Sequence, residues 1–429
     1  MPLSILPYEI LVKVVSFLSQ ADLVILRQTS RECYPIANMH LFRHIQLNGR
    51  KAFRPELDSK FGRLVRRLSI HSATSSTLRK LSLMTTCHGL RELALSQAEV
   101  DEEILDSIVS NHRQLRSFKV CLGEPRHMSC DMSMWMMLDR LRSLETLHLF
   151  YVSHGVAEHI FYSLPCLKDF RVKLVSGDDT NELQVAAAVK RSFYNPHLAT
   201  LHVESWVKNM EIDRHLIMVR PECFPNLNTL ELTAYQAPTN TWFQMKWPVM
   251  KHVSMDYVRC DDDGSLLAIN CPNLESFRCV MWSASGLKLN SLLELPRLSE
   301  LAIDSCLSQS SFAELEPAPR IVRLQMGIVK FSLDSLMRLG KNFPNVQYVQ
   351  LGHCKSDQQV ADAILAQELH LGWLSLATFQ LNPVVAAIAS HAPSLKSLSY
   401  EMPSKVCDAV KFKRMANLPA SLKVLKHSD

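Results

Sequence analysis

The pattern Leu-x-x-Leu-x-Leu, clearest at Leu144-Glu-Thr-Leu147-His-Leu149, returns from residue 65 onward at intervals of about 23 to 31 residues. A fixed period of that length marks a repeat architecture. Three apolar positions, the last two spaced by two, suit a short strand with one buried face. One such strand cannot bury that face alone, whereas stacked copies share one long core.

The first positions of the copies are Val65, Leu90, Leu115, Leu144, Leu167, Leu198, Leu227, Met250, Leu274, Leu298, Ile321, Val346, Leu371, Leu395 and Leu422, which makes fifteen copies. Pro165, Pro225, Pro248, Pro272, Pro296, Pro319, Pro344 and Pro393 stand just upstream of a copy, where proline disfavours helix in the residue before it. Helical stretches are expected between strands. Ile104, Leu105, Ile108 and Val109 follow an acidic start at Asp101-Glu-Glu103. Leu333, Leu336 and Met337 precede Gly340, and Val360, Ile364 and Leu365 follow a cap candidate at Asp357. Strand then helix at constant period defines the fold class: an α/β leucine-rich-repeat solenoid over residues 65–429, parallel strands on the concave side and helices outside. Extra residues at Gly123–Met134 and Ser176–Asn181 are expected as surface loops. The third position after the last leucine fits the cysteine-type repeat at Cys306 and Cys354, but is apolar in most copies, as at Ala98, Val152, Trp206, Tyr235 and Trp282.

A chain of 429 residues exceeds one ordinary core, a limit that repeats escape because each packs only on its neighbours. The apolar fraction of 47% implies that most of the chain folds, and a net charge of +5 does not by itself imply nucleic acid. Twelve cysteines lie scattered with no Cys-x-x-Cys pair, which reads as buried reduced thiols. With no secretory leader in view, the expected compartment is the cytosol or nucleus. The longest apolar runs, such as Val384–Ala389, are too short to span a bilayer.

Ahead of the repeats, residues 1–47 read as a small helical head. Pro7 opens a helix carrying Ile10, Leu11, Val14, Val15 and Leu18 at helical spacing. Ser19 and Asp22 cap a second helix with Leu23 and Leu26, and Tyr34, Ile36, Leu41 and Phe42 mark a third segment. Apolar residues stand at too many angles around the first helix for so small a head to bury them all, so an apolar patch is left for a partner. Residues 48–64 form a joint with spread basic charge (Arg50, Lys51, Arg54, Lys60, Arg63), read as solvated; a nuclear address or nucleic-acid contact is the weaker alternative.

The run Leu6-Pro7-Tyr-Glu9-Ile10-Leu11, then Phe17-Leu18-Ser, Asp22-Leu23, Ser30-Arg31, Tyr34 and Leu41-Phe42-Arg43-His44-Ile45 resembles an F-box, in the variant where Ser-Arg and Tyr replace Cys-Arg and Trp. Followed by leucine-rich repeats, it is similar to the F-box/leucine-rich-repeat substrate receptors of SCF ubiquitin ligases. The resemblance implies docking of the head on a Skp adaptor, which joins cullin, the RING subunit and the conjugating enzyme. By position in that motif, Leu6, Pro7, Ile10, Leu11, Val14 and Leu23 are the expected adaptor contacts. The alternative is a protein-binding scaffold outside any ligase.

On each strand the residue between the last two leucines, and the one just after, faces away from the core. These ladders bring Lys119, His148, Phe150, Arg171, Lys173 and His202 into a basic zone, the expected substrate site for an acidic or phosphorylated segment. Acidic residues Glu204, Glu231 and Asp256 follow, then a small uncharged wall at Gly327, Gly352, Ser375, Ala377 and Ser399 near Trp373. No phosphate loop, His-Glu-x-x-His or EF-hand spacing stands in the chain, and Asp261-Asp-Asp263-Gly264 reads as a capped turn. His154 and His159 have no third ligand in view. No cofactor, metal or catalysis of its own is expected; the chain reads as a non-catalytic adaptor.

Overall fold

A computed structural model describes residues 7–48, 62–80, 86–122, 132–152, 154–174, 194–205, 220–234, 244–256, 264–280, 289–304, 315–326, 342–352, 373–377, 397–401 and 423–427. The chain divides into two compact units, Met1–Thr200 and Leu201–Asp429.

The first unit opens with three helices, α1 (Tyr8–Val15), α2 (Gln20–Thr29) and α3 (Tyr34–Leu41). Pro7 occupies the position just before α1, where its missing N–H leaves nothing unsatisfied. Ser19 caps α2 through a reciprocal capping box with Asp22, as its spacing predicts. Leu11, Val15, Leu23, Cys33 and Ile36 form the head's own core, with Leu18, Leu26 and Leu41 packed against it. Arg27 ties α2 to both ends of α3: its guanidinium lies 5.4 Å from the Tyr34 ring centroid and 5.7 Å from that of Phe42.

Six strands come next in the first unit: β1 (His44–Asn48), β2 (Arg67–His71), β3 (Glu92–Ala98), β4 (Ser117–Leu122), β5 (Thr146–Val152) and β6 (Asp169–Leu174). Each pairs in parallel with the next. Strand β1 is an addition to the expected set. It runs through residue 47, where the head was expected to end, and pairs Ile45 with Leu68 and Leu47 with Ile70.

The second unit continues the scheme with β7 (Thr200–Ser205), β8 (Thr229–Ala234), β9 (His252–Asp256), β10 (Ser276–Val280), β11 (Glu300–Asp304), β12 (Arg323–Met326), β13 (Tyr348–Gly352), β14 (Trp373–Ala377), β15 (Ser397–Glu401) and β16 (Lys423–His427). Within each unit the strands lie in sequence order. The architecture is a helical head and a repeat solenoid of parallel strands, the class the period implies. The last register departs from expectation. Val424, not Leu425, lies opposite Leu398, so the final copy is shifted by one residue from the frame that began at Leu422.

Two backbone devices recur. The first repeat position donates its N–H three residues back, as in Leu115 to His112 at 2.9 Å and Met250 to Trp247 at 3.2 Å. The upstream prolines among the described residues, Pro225 and Pro248 for example, sit inside this turn, where φ near −65° is wanted. Then two successive N–H groups share one carbonyl of the preceding repeat: Arg66 and Arg67 on Arg43, Arg91 and Glu92 on Arg66, Arg116 and Ser117 on Arg91, each at 2.7–3.0 Å. The same sharing joins Glu275 and Ser276 to Lys251, and Ser299 and Glu300 to Glu275, in the second unit. These entries to a strand are thereby hydrogen-bonded at no cost in side chains.

The apolar residue three after the last leucine also has a cause. Gln97 and Tyr151 adopt positive φ (51° and 66°), and the β-ladder slips there. The extra residue turns Ala98 and Val152 inward, at 2% and 0% exposure.

Between strands, α4 (Ser75–Lys80), α5 (Glu102–Asn111), α6 (Met132–Met136) and α7 (His154–Ser163) pack in the first unit. Asp101 caps α5, its Oδ1 accepting from the Ile104 N–H at 2.9 Å, and Ile104, Leu105, Ile108 and Val109 are buried as their spacing requires. The loop expected to run to Met134 is corrected at its end: α6 begins at Met132, and Met134 and Trp135 are buried, because an apolar cluster is worth more inside than in solvent. The second unit contributes α8 (Ser265–Asn270) and α9 (Leu289–Leu293). Gly264 precedes α8 at φ 94°, a conformation that disfavours side chains. The expected elements at 176–181, 333–340 and 357–365, the charges at 50–60, Asp261–Asp263, and Trp206, Tyr235 and Trp282 lie outside the described residues.

Candidate functional site

Two surfaces carry the sequence candidates. The first is the head. Burial of Leu11, Val15 and Leu23 at 7%, 2% and 5% exposure leaves the other side of α1 uncovered. Ile10 and Val14, four residues apart and so on one helical face, stay 46% and 42% exposed. Tyr8, Phe17, Val24 and Ile25 are exposed apolar neighbours in sequence. The six expected adaptor contacts thus divide. Pro7, Ile10 and Val14 are exposed, Leu11 and Leu23 belong to the head's core, and Leu6 lies outside the described residues. Tyr8, Phe17, Val24 and Ile25 are the surface residues that motif position did not single out; helical periodicity marks Tyr8 and Val24 as off the core face, whereas Phe17 lies in the turn after α1 and Ile25 stands beside the apolar stripe of α2.

The second surface is the open face of the strands. In the first unit the register sets Ala94, Lys119, His148 and Arg171 side by side in one row, and Phe150 beside Lys173 in the next. Lys119 is exposed; His148, Phe150, Arg171 and Lys173 are half-buried. The zone is less basic than the ladder alone implies, because Asp169 stands in it. Its Oδ2 meets His148 Nε2 at 3.2 Å and its Oδ1 meets Arg171 Nε at 3.4 Å. Burial pushes the Asp169 carboxyl up, but the hydrogen bond and charge of His148, helped by Arg171, more than offset this and hold it below the usual carboxylate range. Asp169 lies one position before the second apolar residue of its strand, a third outward row that alternation gives as surely as the other two. Lys173 places Nζ 5.3 Å from the Tyr151 ring centroid, across the bulge.

His202 falls in the second unit, where Nδ1 meets Glu231 Oε2 at 2.5 Å. Asp256 comes two strands along, with Oδ1 3.4 Å from Arg278 Nε. Burial raises its carboxyl above the usual range, only partly countered by Arg278. So the second unit sets bases against these outward acids rather than extending the basic zone. The side chains of the small late wall beyond residue 350 lie outside the described residues.

Chemistry of other kinds is thin. Among the described residues no group of three or more His, Cys, Asp or Glu is placed to hold a metal, and no helix is long and apolar enough to cross a membrane. The described cysteines are free thiols; Cys271 is buried, which pushes its pKa up to about 12 and makes it a poor nucleophile. His159 Nε2 meets Ser163 Oγ at 3.1 Å within α7.

A family model described as F-box-like matches residues 3–48, which span α1 to β1. Residues 3–48 therefore carry an F-box-like domain, ahead of a repeat solenoid. A search of curated proteins finds no match. Among solved structures, the chain is similar to one in a complex of Rad7 and Elc1 from yeast, at 12% identity and TM-score 0.46, covering 97% of this chain and 90% of that one. It is also similar to a chain of a TLR13–ssRNA13 complex (14% identity, TM-score 0.40, 83% of this chain and 45% of that one). A third is from the Toll–Spatzle complex of Drosophila (12%, TM-score 0.41, 85% and 50%). The chain spans about half the length of the last two.

Proposed function

We propose that this protein is the substrate-recognition subunit of an SCF-type ubiquitin ligase, with the head docked on a Skp adaptor and the repeats holding the target. The observation that carries the reading is the exposed apolar face of α1 within an F-box-like domain. A face of that kind, at one end of a chain with its own intact core, is what a partner covers. Pro7, Tyr8, Ile10, Val14 and Phe17 form that contact, and Leu11 and Leu23 support it from beneath. Cullin and the RING subunit join through the adaptor and supply the chemistry; this chain supplies selection and no catalysis. Its setting is the cytosol or nucleus. In the first unit, Lys119, His148, Phe150, Arg171 and Lys173 receive an acidic or phosphorylated segment of the target, with His202 contributing separately from the second unit.

Pro7→Ala combined with Ile10→Ala should abolish co-purification with the adaptor and leave the repeats folded; unchanged co-purification sinks the reading. Recovery of cullin together with the adaptor separates a ligase subunit from a scaffold. For the basic zone, charge reversal at Arg171 and Lys173 should alter the set of captured proteins.

A further inference from the structure

The open face of the second unit holds a hole. Ala302 of β11 lies in one row between Arg278 of β10 and Gln325 of β12. Its neighbours are long and it is short, so a cavity of about 230 Å3 opens above it, walled also by Glu300, Arg323 and Tyr348. That is below the roughly 300–1,000 Å3 of pockets that enclose whole small molecules. It is the scale of one side chain.

The walls are built rather than incidental. Arg323 is held twice: Nη1 lies 3.5 Å from Glu300, and its guanidinium stacks 5.2 Å from the Tyr348 ring centroid. Arg278 is held through Nε by Asp256 at 3.4 Å. Each pair occupies one edge of a guanidinium that carries five N–H donors, so both keep donors to offer the cavity. Arg278 lies in the Ala302 row and Arg323 in the adjacent row opposite Glu300, two strands and one two-residue step apart, about 12 Å on the diagonal. Both side chains are long enough to converge on one group between them. Each guanidinium faces one carboxylate, Asp256 or Glu300, so what the pocket offers a ligand is the remaining N–H donors of Arg278 and Arg323 and not a net charge.

We infer that this cavity is a second, separate recognition pocket, which receives a single anionic side chain of a bound polypeptide in a fork between Arg278 and Arg323. The inference rests on the reading that the open face holds a protein target, but it does not involve the adaptor or the basic zone of the first unit. Bidentate guanidinium contacts are the strong form of hydrogen bond, and the pre-set geometry lowers the ordering cost of making them.

The test uses the full chain, immobilised, and four synthetic pools of random ten-residue peptides whose central residue is fixed as glutamate, phosphoserine, lysine or alanine. The fixed-anion pools should be retained about tenfold over the alanine pool. Retention of both anion pools means that a carboxylate suffices; retention of the phosphoserine pool alone means that a phosphate is required. The comparison is made in the Arg171→Glu, Lys173→Glu background, which silences the basic zone: there an anion preference should persist, and Ala302→Met, which fills the hole without touching charge, and Arg278→Gln with Arg323→Gln should each remove it. Ala302→Gln serves as the second filling variant if methionine disturbs folding, with circular dichroism as the check. Equal retention of all pools, preference for lysine, or a preference that survives both filling variants overturns the inference. In each of those cases adaptor co-purification is unaffected, so the ligase reading stands or falls on its own experiment.

Discussion

Replacing Ile10 and Val14 together by alanine separates binding from folding. Fully burying an isoleucine or valine is worth about 1.5–3 kcal/mol. With 46% and 42% of these residues still exposed, covering them in a complex is worth roughly 1 kcal/mol apiece. The pair therefore contributes about 2 kcal/mol, or roughly 30-fold in Kd. The cost to the isolated head should stay within about 0.5 kcal/mol per site, since neither side chain fills the core. Leu11→Ala is the contrast: at 7% exposure it should cost about 2–5 kcal/mol of stability and weaken binding only by unfolding the head. The assay is calorimetric titration of purified Skp adaptor into the full chain, with thermal unfolding alongside. If the double variant binds within about twofold of the parent, the exposed face of α1 is not where the partner sits.

Ser19→Ala removes the side-chain half of the capping box, the Oγ that accepts from the Asp22 N–H, and should destabilise α2 by about 1 kcal/mol, read as weaker hydrogen-exchange protection of the head. Asp169→Asn and Asp256→Asn should have opposite signs. The lowered carboxyl of Asp169 stabilises above the usual carboxylate range and loses that contribution as pH falls through its folded pKa, so Asp169→Asn should lower Tm at pH 7 and flatten the acid side of the Tm profile below about pH 4. The raised carboxyl of Asp256 stabilises while protonated and loses this as pH rises through its folded pKa, so Asp256→Asn should hold or raise Tm at pH 7. Leu147→Ala, at a fully buried strand position, should cost about 2–5 kcal/mol by denaturant unfolding.

Fourteen of the fifteen strand positions are legible because three leucine-like residues at fixed spacing leave one way to share a core. The fifteenth slips by one, since Val424 and Leu425 are both apolar and the pattern cannot choose between them. Strand β1 is hidden because the leading place before Ile45 and Leu47 is taken by Phe42, which reads as the end of α3 and not as the start of a repeat. Gln97 and Tyr151 show the opposite case: the apolar residue after each is visible, but the left-handed backbone that turns it inward is not, because neither residue type announces it. On the open face, alternation correctly places Lys119, His148 and Arg171 abreast. It also contains Asp169, which goes unnoticed when only two of three outward rows are read. The head divides along the same line. Motif position names Leu11 and Leu23 as contacts, while packing claims them for the interior and leaves Ile10 and Val14 outside.

That β1 comes from the head has a practical sequel. Its amide edge is the end plate of the stack, and the Arg43 carbonyl anchors the first strand behind it. Trimming the chain at residue 47 would strip this plate and leave β2 with a raw row of amides and carbonyls, ready to adhere to any extended peptide. A target trap made that way would fill with bystanders. One trimmed ahead of Arg43 keeps β2 paired and the Arg43 anchor in place, so the outermost strand stays the one it is in the intact chain.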